Sequence, residues 1–213
     1  MRLDEFPAHA DIAVECAPAA IIEDICAPML EAGKSVMVLS CGALLPRPHL
    51  LDLAKAKGGR IIVPTGALLG LDAVAAAAEG EISSVRMTTR KPPAGLKGAP
   101  YLEQHGISVD GLNEAKLVFS GSARDAAAGF PANVNVAAAL SLAGIGPDRT
   151  MIDIWADPAV TRNCHTIEVE ADSARFSLSI ENVPSENPKT GRIVALSVLA
   201  ALRKLGAPLA VGT

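Results

Sequence analysis

The sequence predicts an α/β protein in which a doubly wound parallel sheet is followed by an α+β domain with a mixed sheet. Short apolar runs alternate with helical segments over the first third of the chain. Longer strand-type runs and Ala-rich helical segments follow Pro64. Only 3% of the residues are aromatic while 50% are hydrophobic, so Ala, Val, Ile and Leu must form the core, which favours helices packed on a parallel sheet.

The first third alternates strands with helices that end at glycine. Residues 11–16, 35–39 and 60–63 are compact apolar runs, and we expect strands there. Apolar residues at helical spacing predict a helix over 19–32 that ends at Gly33, and a second helix over 48–57 that ends at Gly58. Tight loops between these elements imply parallel strands.

After Pro64 a Gly-containing turn leads into an Ala-rich helix, and longer strands follow. The predicted strands are 82–89, 116–120, 150–155, 165–170 and 175–181, and the predicted helices are 122–128, 134–143 and 191–204. We expect one mixed sheet with helices on one face. Residues 91–113, rich in Pro and Gly turns and with little periodicity, are expected to form a surface excursion.

Size, charge and cysteine content exclude several classes of protein. The 213 residues are enough for a core that needs no disulfides, and the net charge of -4 argues against a general nucleic-acid binder. No apolar stretch is long enough to span a membrane, and the first residues lack the apolar region of a signal peptide. Because the four cysteines form no CxxC pair, we expect reduced thiols in a cytoplasmic protein and no metal site.

One motif of a doubly wound nucleotide-binding domain is absent from the start of the chain. Such a domain opens with a strand, a Gly-rich turn and a helix whose N-terminus holds the pyrophosphate. No GxGxxG pattern occurs near Met1, and the loop after the first predicted strand reads APAA. The sequence therefore predicts part of a dinucleotide-binding fold without its phosphate-binding part.

Eight segments, spread over nearly the whole chain, carry a family resemblance. They are DIAVECA (11–17), EAGKSVMVLSCGAL (31–44), RIIVPTGALLGLDAV (60–74), TTRKPP (88–93), FSGSARDA (119–126), FPANVNVAAALSLAGIG (130–146), ADPAVTRNCHTIEVE (156–170) and ENVPSENPKTG (181–191). In this order they resemble the L-aspartate dehydrogenase family, and the last three are the most specific.

The resemblance implies a truncated Rossmann-like dinucleotide-binding domain over residues 1–65 and an α+β catalytic and dimerisation domain over 66–190. Residues 191–213 are then a C-terminal helix and tail that pack back on the first domain. The family's opening βαβ region would precede Met1, so we expect the chain to begin inside a domain and to bind the cofactor weakly. The implied reaction oxidises L-aspartate to iminoaspartate with NAD or NADP, in NAD biosynthesis, in a homodimer.

His165 is the predicted catalytic residue. It opens a predicted strand directly after the turn ADPAVTRNC, and such a junction presents side chains to a cleft. A lone histidine is more often structural, but this one matches the family's catalytic histidine in the RNxHxIxV motif. The reaction needs a base whose pKa lies near neutrality, which suits an imidazole.

The cofactor residues implied by the resemblance are Leu69 and Asn135. Asn135 matches a position that contacts the nicotinamide, where an amide suits the carboxamide. Leu69 lies in a turn whose backbone passes close to the cofactor, although the family commonly has Gly or Ala there. The residues alone leave an alternative open, because Asn133 or Asn135 can cap the following helix.

The substrate residues are less specific predictions. A dicarboxylate needs cationic partners, for which Arg162 and Lys189 are candidates, although each can equally be solvated on the surface. Thr190 is expected to cap the last helix, which makes an anion site at its N-terminus. Three asparagines can contact substrate or hold turns: Asn133, Asn163 and Asn182.

The sequence also bears on one alternative catalytic pair and on two rival functions. Cys164 and His165 are neighbours on a strand, so their side chains should point to opposite faces and form no catalytic pair. A rival function is another oxidoreductase of the same two-domain plan, such as a homoserine dehydrogenase-like or dihydrodipicolinate reductase-like enzyme, against which the segments 162–170 and 181–191 argue. A second rival is a truncated, non-catalytic paralogue that acts as a dimerisation or regulatory partner.

Overall fold

The computed structural model describes residues 2–131, 134–186 and 191–212. The chain forms two compact units, Met1–Pro64 and Thr65–Thr213. No helix in these described ranges is long and apolar enough to cross a membrane. The two units are described separately below.

The first unit is a three-stranded parallel sheet with two helices. The strands are β1 (Ile12–Glu15), β2 (Ser35–Val38) and β3 (Arg60–Ile62), in the order β1-β2-β3. The helices are α1 (Ile22–Glu31) and α2 (Pro48–Lys57). The predicted parallel α/β arrangement is confirmed, and α1 is shorter than predicted because residues Ala19–Ile21 form a 3₁₀ turn instead of a first α-helical turn.

A buried carboxylate holds the ends of two of these strands together. Glu15, the last residue of β1, is 1% exposed. Its Oε1 accepts hydrogen bonds from Ala17 N (2.7 Å) and Ser40 Oγ (3.1 Å), and its Oε2 accepts from Leu39 N (3.2 Å) and Ser40 N (2.9 Å). Buried charges need such partners. Glu15 therefore fixes the loops that follow β1 and β2.

The second unit is built on a five-stranded mixed sheet in the order β5-β6-β4-β7-β8. The strands are β4 (Ile82–Lys91), β5 (Lys116–Ser122), β6 (Thr150–Ala156), β7 (Asn163–Ala171) and β8 (Arg175–Asn182). The β4–β6 pair is parallel and the other pairs are antiparallel, which confirms the predicted mixed sheet. The helices are α3 (Leu71–Ala77), α4 (Pro100–Gln104), α5 (Ala123–Gly129), α6 (Asn135–Ala143) and α7 (Ile193–Gly206).

One face of this sheet, here called the inner face, forms the core of the unit. Alternate residues of β4, β6 and β7 are buried there, for example Met87, Ile152 and Ile167. They belong to one apolar cluster with residues of α3, α5 and α6, such as Val74 and Ala137. The opposite, outer face carries the intervening residues, most of them polar.

The predicted surface excursion over residues 91–113 is wrong. Leu96, Ala99, Leu102 and Val109 are buried in the core cluster. The apolar residues of this segment are separated by turns, and its one α-helix, α4, has only five residues. A helix this short does not establish the periodicity by which a buried face is recognised.

The last helix begins later than predicted. Its N-cap is Arg192 and its first residue is Ile193, so the predicted N-cap role of Thr190 is wrong, and Thr190 itself lies outside the described residues. The helix has no buried residue and exposes Leu196, Leu199 and Leu205. The predicted packing of residues 191–213 on the first domain stays a prediction.

Candidate active site

Two neighbouring strands bring three polar side chains together on the inner face, in an otherwise apolar environment. β4 places Thr89 and Lys91 there, because residues two apart on a strand share a face. β7 runs antiparallel to β4, and its His165 is the register partner of Thr89. The sheet register alone therefore positions the three groups.

His165 is buried and hydrogen bonded. His165 is only 3% exposed. Its Nδ1 lies 3.0 Å from Oγ1 of Thr89, which is also buried. No described group hydrogen bonds to the other ring nitrogen, Nε2. One ring nitrogen is thus fixed by the protein, and the other remains for a ligand.

The electrostatic environment keeps His165 uncharged. Burial, and secondarily the positive charge of Lys91, lower the pKa of His165 to about 3. In the protein without ligand, this pKa lies below the near-neutral value that the reaction needs. The imidazole is neutral near physiological pH and can accept a proton without first losing one.

Lys91 is a functional candidate that the sequence reasoning missed. It is only 4% exposed, and burial lowers its pKa to about 8. Lysine is almost never fully buried in proteins without a specific role or partner. The predicted strand ended at residue 89, which left Lys91 in a loop. Extending the alternation of buried residues through 85, 87 and 89 by one more step would have placed it on the inner face.

A small cavity adjoins Thr89 and Lys91. Its volume is about 10 Å³, the room that about one water molecule needs. Thr89 and Lys91 are the polar residues of its lining, and the others are Met87, Ala126, Phe130, Val134, Ala137, Ile152 and Ile154. A charged ligand group in this place would have little water around it.

Asn182 has a buried carbonyl oxygen with no partner among the described residues. Its Nδ2 donates to the carbonyl oxygen of Ala67 at 3.0 Å, so it holds the turn before α3. Its Oδ1 is fully buried and accepts no hydrogen bond in the described part of the chain. A Cβ at residue 191 would lie 3.0 Å from this oxygen, so the glycine there permits the close approach. A buried acceptor left this way is costly unless a ligand supplies an N–H or O–H.

The two predicted cofactor residues lie in the same unit. Leu69 is half-buried. It follows Leu68, which is fully buried, and precedes Gly70, whose φ is +69°. Asn135 is the first residue of α6 and is exposed. The N-cap of α6 is Val134, so neither predicted asparagine caps this helix; Asn133 lies outside the described residues.

The predicted substrate residues are dispersed. Arg162 is exposed, and Asn163 is half-buried at the start of β7, in register with Asn182. Lys189 and Thr190 lie outside the described residues. Among the described candidates, Asn163 and Asn182 lie together, at one end of the β7–β8 strand pair.

Cys164 lies apart from His165, as predicted. His165 is on the buried inner face, whereas Cys164 is half-buried and its Sγ donates to the carbonyl oxygen of Arg162 at 3.6 Å. Burial raises the pKa of this thiol, which keeps it protonated. Within the described residues, no group of three or more His, Cys, Asp or Glu side chains could hold a metal ion.

Comparisons with known proteins agree with the geometry. The family model "Aspartate dehydrogenase, C-terminal" matches residues 72–205, and "Homoserine dehydrogenase, NAD binding domain" matches residues 1–64. An L-aspartate dehydrogenase 3 of Bordetella bronchiseptica is 64% identical over 99% of this chain and 78% of its own length. An L-aspartate dehydrogenase of Bradyrhizobium diazoefficiens is 63% identical over 100% of this chain and 76% of its own length.

A solved structure is also similar. The aspartate dehydrogenase of Thermotoga maritima matches with a TM-score of 0.79 and 26% identity, over 97% of this chain and 80% of that one. The parallel-sheet unit matches an NAD-binding domain and the mixed-sheet unit matches the C-terminal domain of a dehydrogenase, so the chain is a two-domain NAD(P)-dependent dehydrogenase. Within that class, the sequence matches are decisive. The chain belongs to the aspartate dehydrogenase family.

Proposed function

We propose that this chain catalyses the oxidation of L-aspartate to iminoaspartate with NAD or NADP, as part of NAD biosynthesis. In the balanced reaction, L-aspartate and NAD(P)⁺ give iminoaspartate, NAD(P)H and one proton, and water then converts the imine to oxaloacetate and ammonia. The observation that carries the proposal is the buried His165–Thr89 pair, in a chain 64% identical to an L-aspartate dehydrogenase.

The proposed role of His165 is to accept the proton that leaves the substrate amino group. Its neutral form is the one required, and Thr89 fixes the ring through Nδ1. The carboxylates of the substrate would place negative charge near the imidazole and raise its pKa from the low value of the free protein. Substrate binding would thus strengthen the base when it is needed.

The residues of the second unit fit a nicotinamide cofactor. Asn135 would hold the carboxamide, and the backbone at Leu69 would approach the ring, in a turn that Asn182 fixes through Ala67. The unpartnered Oδ1 of Asn182 fits an N–H donor, which both the carboxamide and the amine substrate carry. When bound, the nicotinamide accepts the hydride from the substrate Cα.

The remaining substrate contacts are proposed as the family resemblance implies them. Asn182 and Asn163 lie opposite each other at one end of β7 and β8, where Asn182 offers its carbonyl oxygen to the substrate amino group. Arg162 is exposed on the loop before β7, so it would reach a carboxylate only at the edge of the site. The remaining proposed substrate contacts are Asn133, Lys189 and Thr190.

The test is the rate of NADH or NADPH formation with L-aspartate, with L-homoserine as the control substrate. The wild-type chain should oxidise L-aspartate selectively. The variant His165→Ala should lose about 100-fold or more of kcat, which is typical of a general base. If His165→Ala turned over L-aspartate like the wild type, the proposed mechanism would be wrong, and selectivity for homoserine would overturn the substrate assignment.

We also propose that the protein is cytoplasmic and acts as a homodimer. The outer face of the sheet carries Trp155, with the Arg90 guanidinium 4.9 Å from its ring centre, and the exposed Leu117 beside it. Trp and Arg are enriched at protein interfaces. Light scattering should give twice the mass of one chain, and Trp155→Arg should reduce it to the mass of a monomer.

A further inference from the structure

The starting observation is the position of Lys91. This lysine is the last residue of β4, lies on the inner face and lines the cavity together with Thr89. The α5 and α6 side chains that line the same cavity are apolar: Ala126, Phe130, Val134 and Ala137. The titratable group that faces it from β7 is His165.

The carboxylate and the guanidinium nearest to Lys91 in sequence bond to each other. Asp157 pairs with Arg90, with Oδ2 and Nη1 3.0 Å apart, and its Oδ1 accepts a hydrogen bond from Ala159 N at 2.9 Å. Arg90 extends over Trp155 on the outer face. The carboxylate of Asp157 therefore holds its own turn and Arg90, while the ammonium of Lys91 belongs to the inner face.

Burial makes Lys91 unusual among the lysines of this chain. Desolvation disfavours the charged form of its ammonium and lowers the pKa to about 8. Ionisable groups that burial perturbs in this way are concentrated at functional sites. The position of Lys91, beside the proposed base, assigns its function to the reaction site and not to the core.

We propose that Lys91 binds a carboxylate of the substrate and is the residue that selects a dicarboxylic amino acid. This inference rests on the proposed function. A substrate carboxylate that reached the ammonium beside this cavity would meet it where little water screens the attraction, so the ion pair would be strong. Arg162, the described cation proposed from the sequence, is exposed and could bind a carboxylate only in a better-screened position.

The experiment compares Lys91→Met with Lys97→Met, which removes an exposed lysine. Steady-state kinetics with L-aspartate and L-asparagine measure selectivity, and calorimetry with succinate in the presence of NAD⁺ measures binding without turnover. For Lys91→Met we expect KM for L-aspartate and Kd for succinate to rise about 30-fold or more, as for loss of a buried charge partner. The preference for L-aspartate over L-asparagine should fall by a similar factor, and Lys97→Met should match the wild type.

A structural role would give a different result. If Lys91 only stabilised the fold, a folded Lys91→Met would leave succinate affinity unchanged, whereas the proposal predicts that the folded variant loses succinate affinity. Should Lys91→Met not fold, Lys91→Gln removes the charge with a polar side chain and is expected to show the same loss of succinate binding. Lys91→Arg, which retains the charge, should recover part of the affinity.

Two outcomes overturn the inference while the proposed function stands. One is a wild-type enzyme that oxidises L-aspartate together with a folded Lys91→Met whose succinate Kd is unchanged. The other is a loss confined to kcat, which would mean that Lys91 transfers protons and does not bind a carboxylate. Failure of the proposed function itself is recognised separately, because the wild type would then not oxidise L-aspartate.

Discussion

Thr89 and His165 face each other across the β4–β7 pair, with 3.0 Å between Oγ1 and Nδ1. Both residues are buried, so little water competes with the hydroxyl for the hydrogen bond to the ring nitrogen. Because the pair is set by the strand register, the orientation of the imidazole depends on the sheet and not on a loop. Groups positioned on regular elements in this way are held more rigidly than groups on loops.

Thr89→Val should therefore impair catalysis while leaving the sheet intact. Removing one hydrogen bond of about 0.5–1.5 kcal/mol from the base should lower kcat about 2- to 10-fold, with little change in KM. Thr89→Ser retains the hydroxyl and should recover most of the rate. The matched control is Thr88→Val, on the outer face of the same strand. Equal losses for Thr88→Val and Thr89→Val would mean that the strand, and not the hydrogen bond, is affected.

The low pKa of His165 predicts a specific dependence of stability on pH. The imidazole titrates near its usual pKa of 6.5 in the unfolded chain but at about 3 in the folded protein. Between these values the unfolded state binds more protons, so acidification favours unfolding by up to about 1.4 kcal/mol per pH unit. The stabilisation is present above pH 6.5 and is lost as the pH falls towards about 3.

The measurement is urea unfolding of wild type and His165→Gln between about pH 7 and pH 4. The difference in their free energy of unfolding should shrink as the pH falls, since only the wild type carries the buried imidazole. His9→Gln removes an exposed histidine and should follow the wild type throughout. A constant difference between wild type and His165→Gln would contradict the depressed pKa.

Periodicity was sufficient to predict the architecture but not all of its packing. The strands of the mixed sheet lie where their apolar alternation placed them, and the parallel order of the first unit follows from its alternating elements. The segment 91–113 was misassigned because its buried residues, such as Leu96 and Leu102, are separated by turns and lack a period. Tertiary contacts, not local pattern, bury them.

Only part of the candidate site could be predicted from the sequence. His165 was found through its motif, and the Cys164–His165 alternation followed from strand geometry. The alternation of β4 could have placed Thr89 and Lys91 on the inner face, but their position beside His165 depends on the register between β4 and β7, which a single sequence does not contain. The lowered pKa of His165 could not be predicted from the sequence, because burial, its largest cause, depends on the packing of distant segments.

Glu15 provides a test in the first unit. Its two oxygens accept four hydrogen bonds, so Glu15→Gln would turn an amide N–H₂ towards groups that are themselves donors. We expect destabilisation by about 1–3 kcal/mol, the cost of leaving buried donors unsatisfied. The control Glu31→Gln removes an exposed ion pair with Lys57 and should change stability little. Chemical denaturation measures the free energy of unfolding of both variants. If Glu15→Gln is as stable as the wild type, these donors must bind water instead.

Gly70 tests the turn that leads into α3. Its φ is +69°, and a Cβ there would lie 2.0 Å from Cδ1 of Leu178, which requires that side chain to move. Gly98 has a similar φ of +74° with no atom within 4 Å of an added Cβ. Gly98→Ala should thus show only the backbone strain, about 1 kcal/mol, whereas Gly70→Ala should add about 1–3 kcal/mol of overpacking.

The double variant Gly70→Ala/Leu178→Ala separates the two contributions. Shortening Leu178 removes the clashing atom, so the cost of Gly70→Ala in that background should fall to the cost of Gly98→Ala. Thermal denaturation of the four chains gives the coupling energy. Since the same turn contains Ala67, which Asn182 holds, Gly70→Ala should also raise KM for the cofactor, and Gly98→Ala should not. Additive Tm losses for Gly70→Ala and Leu178→Ala would contradict the contact between these two residues.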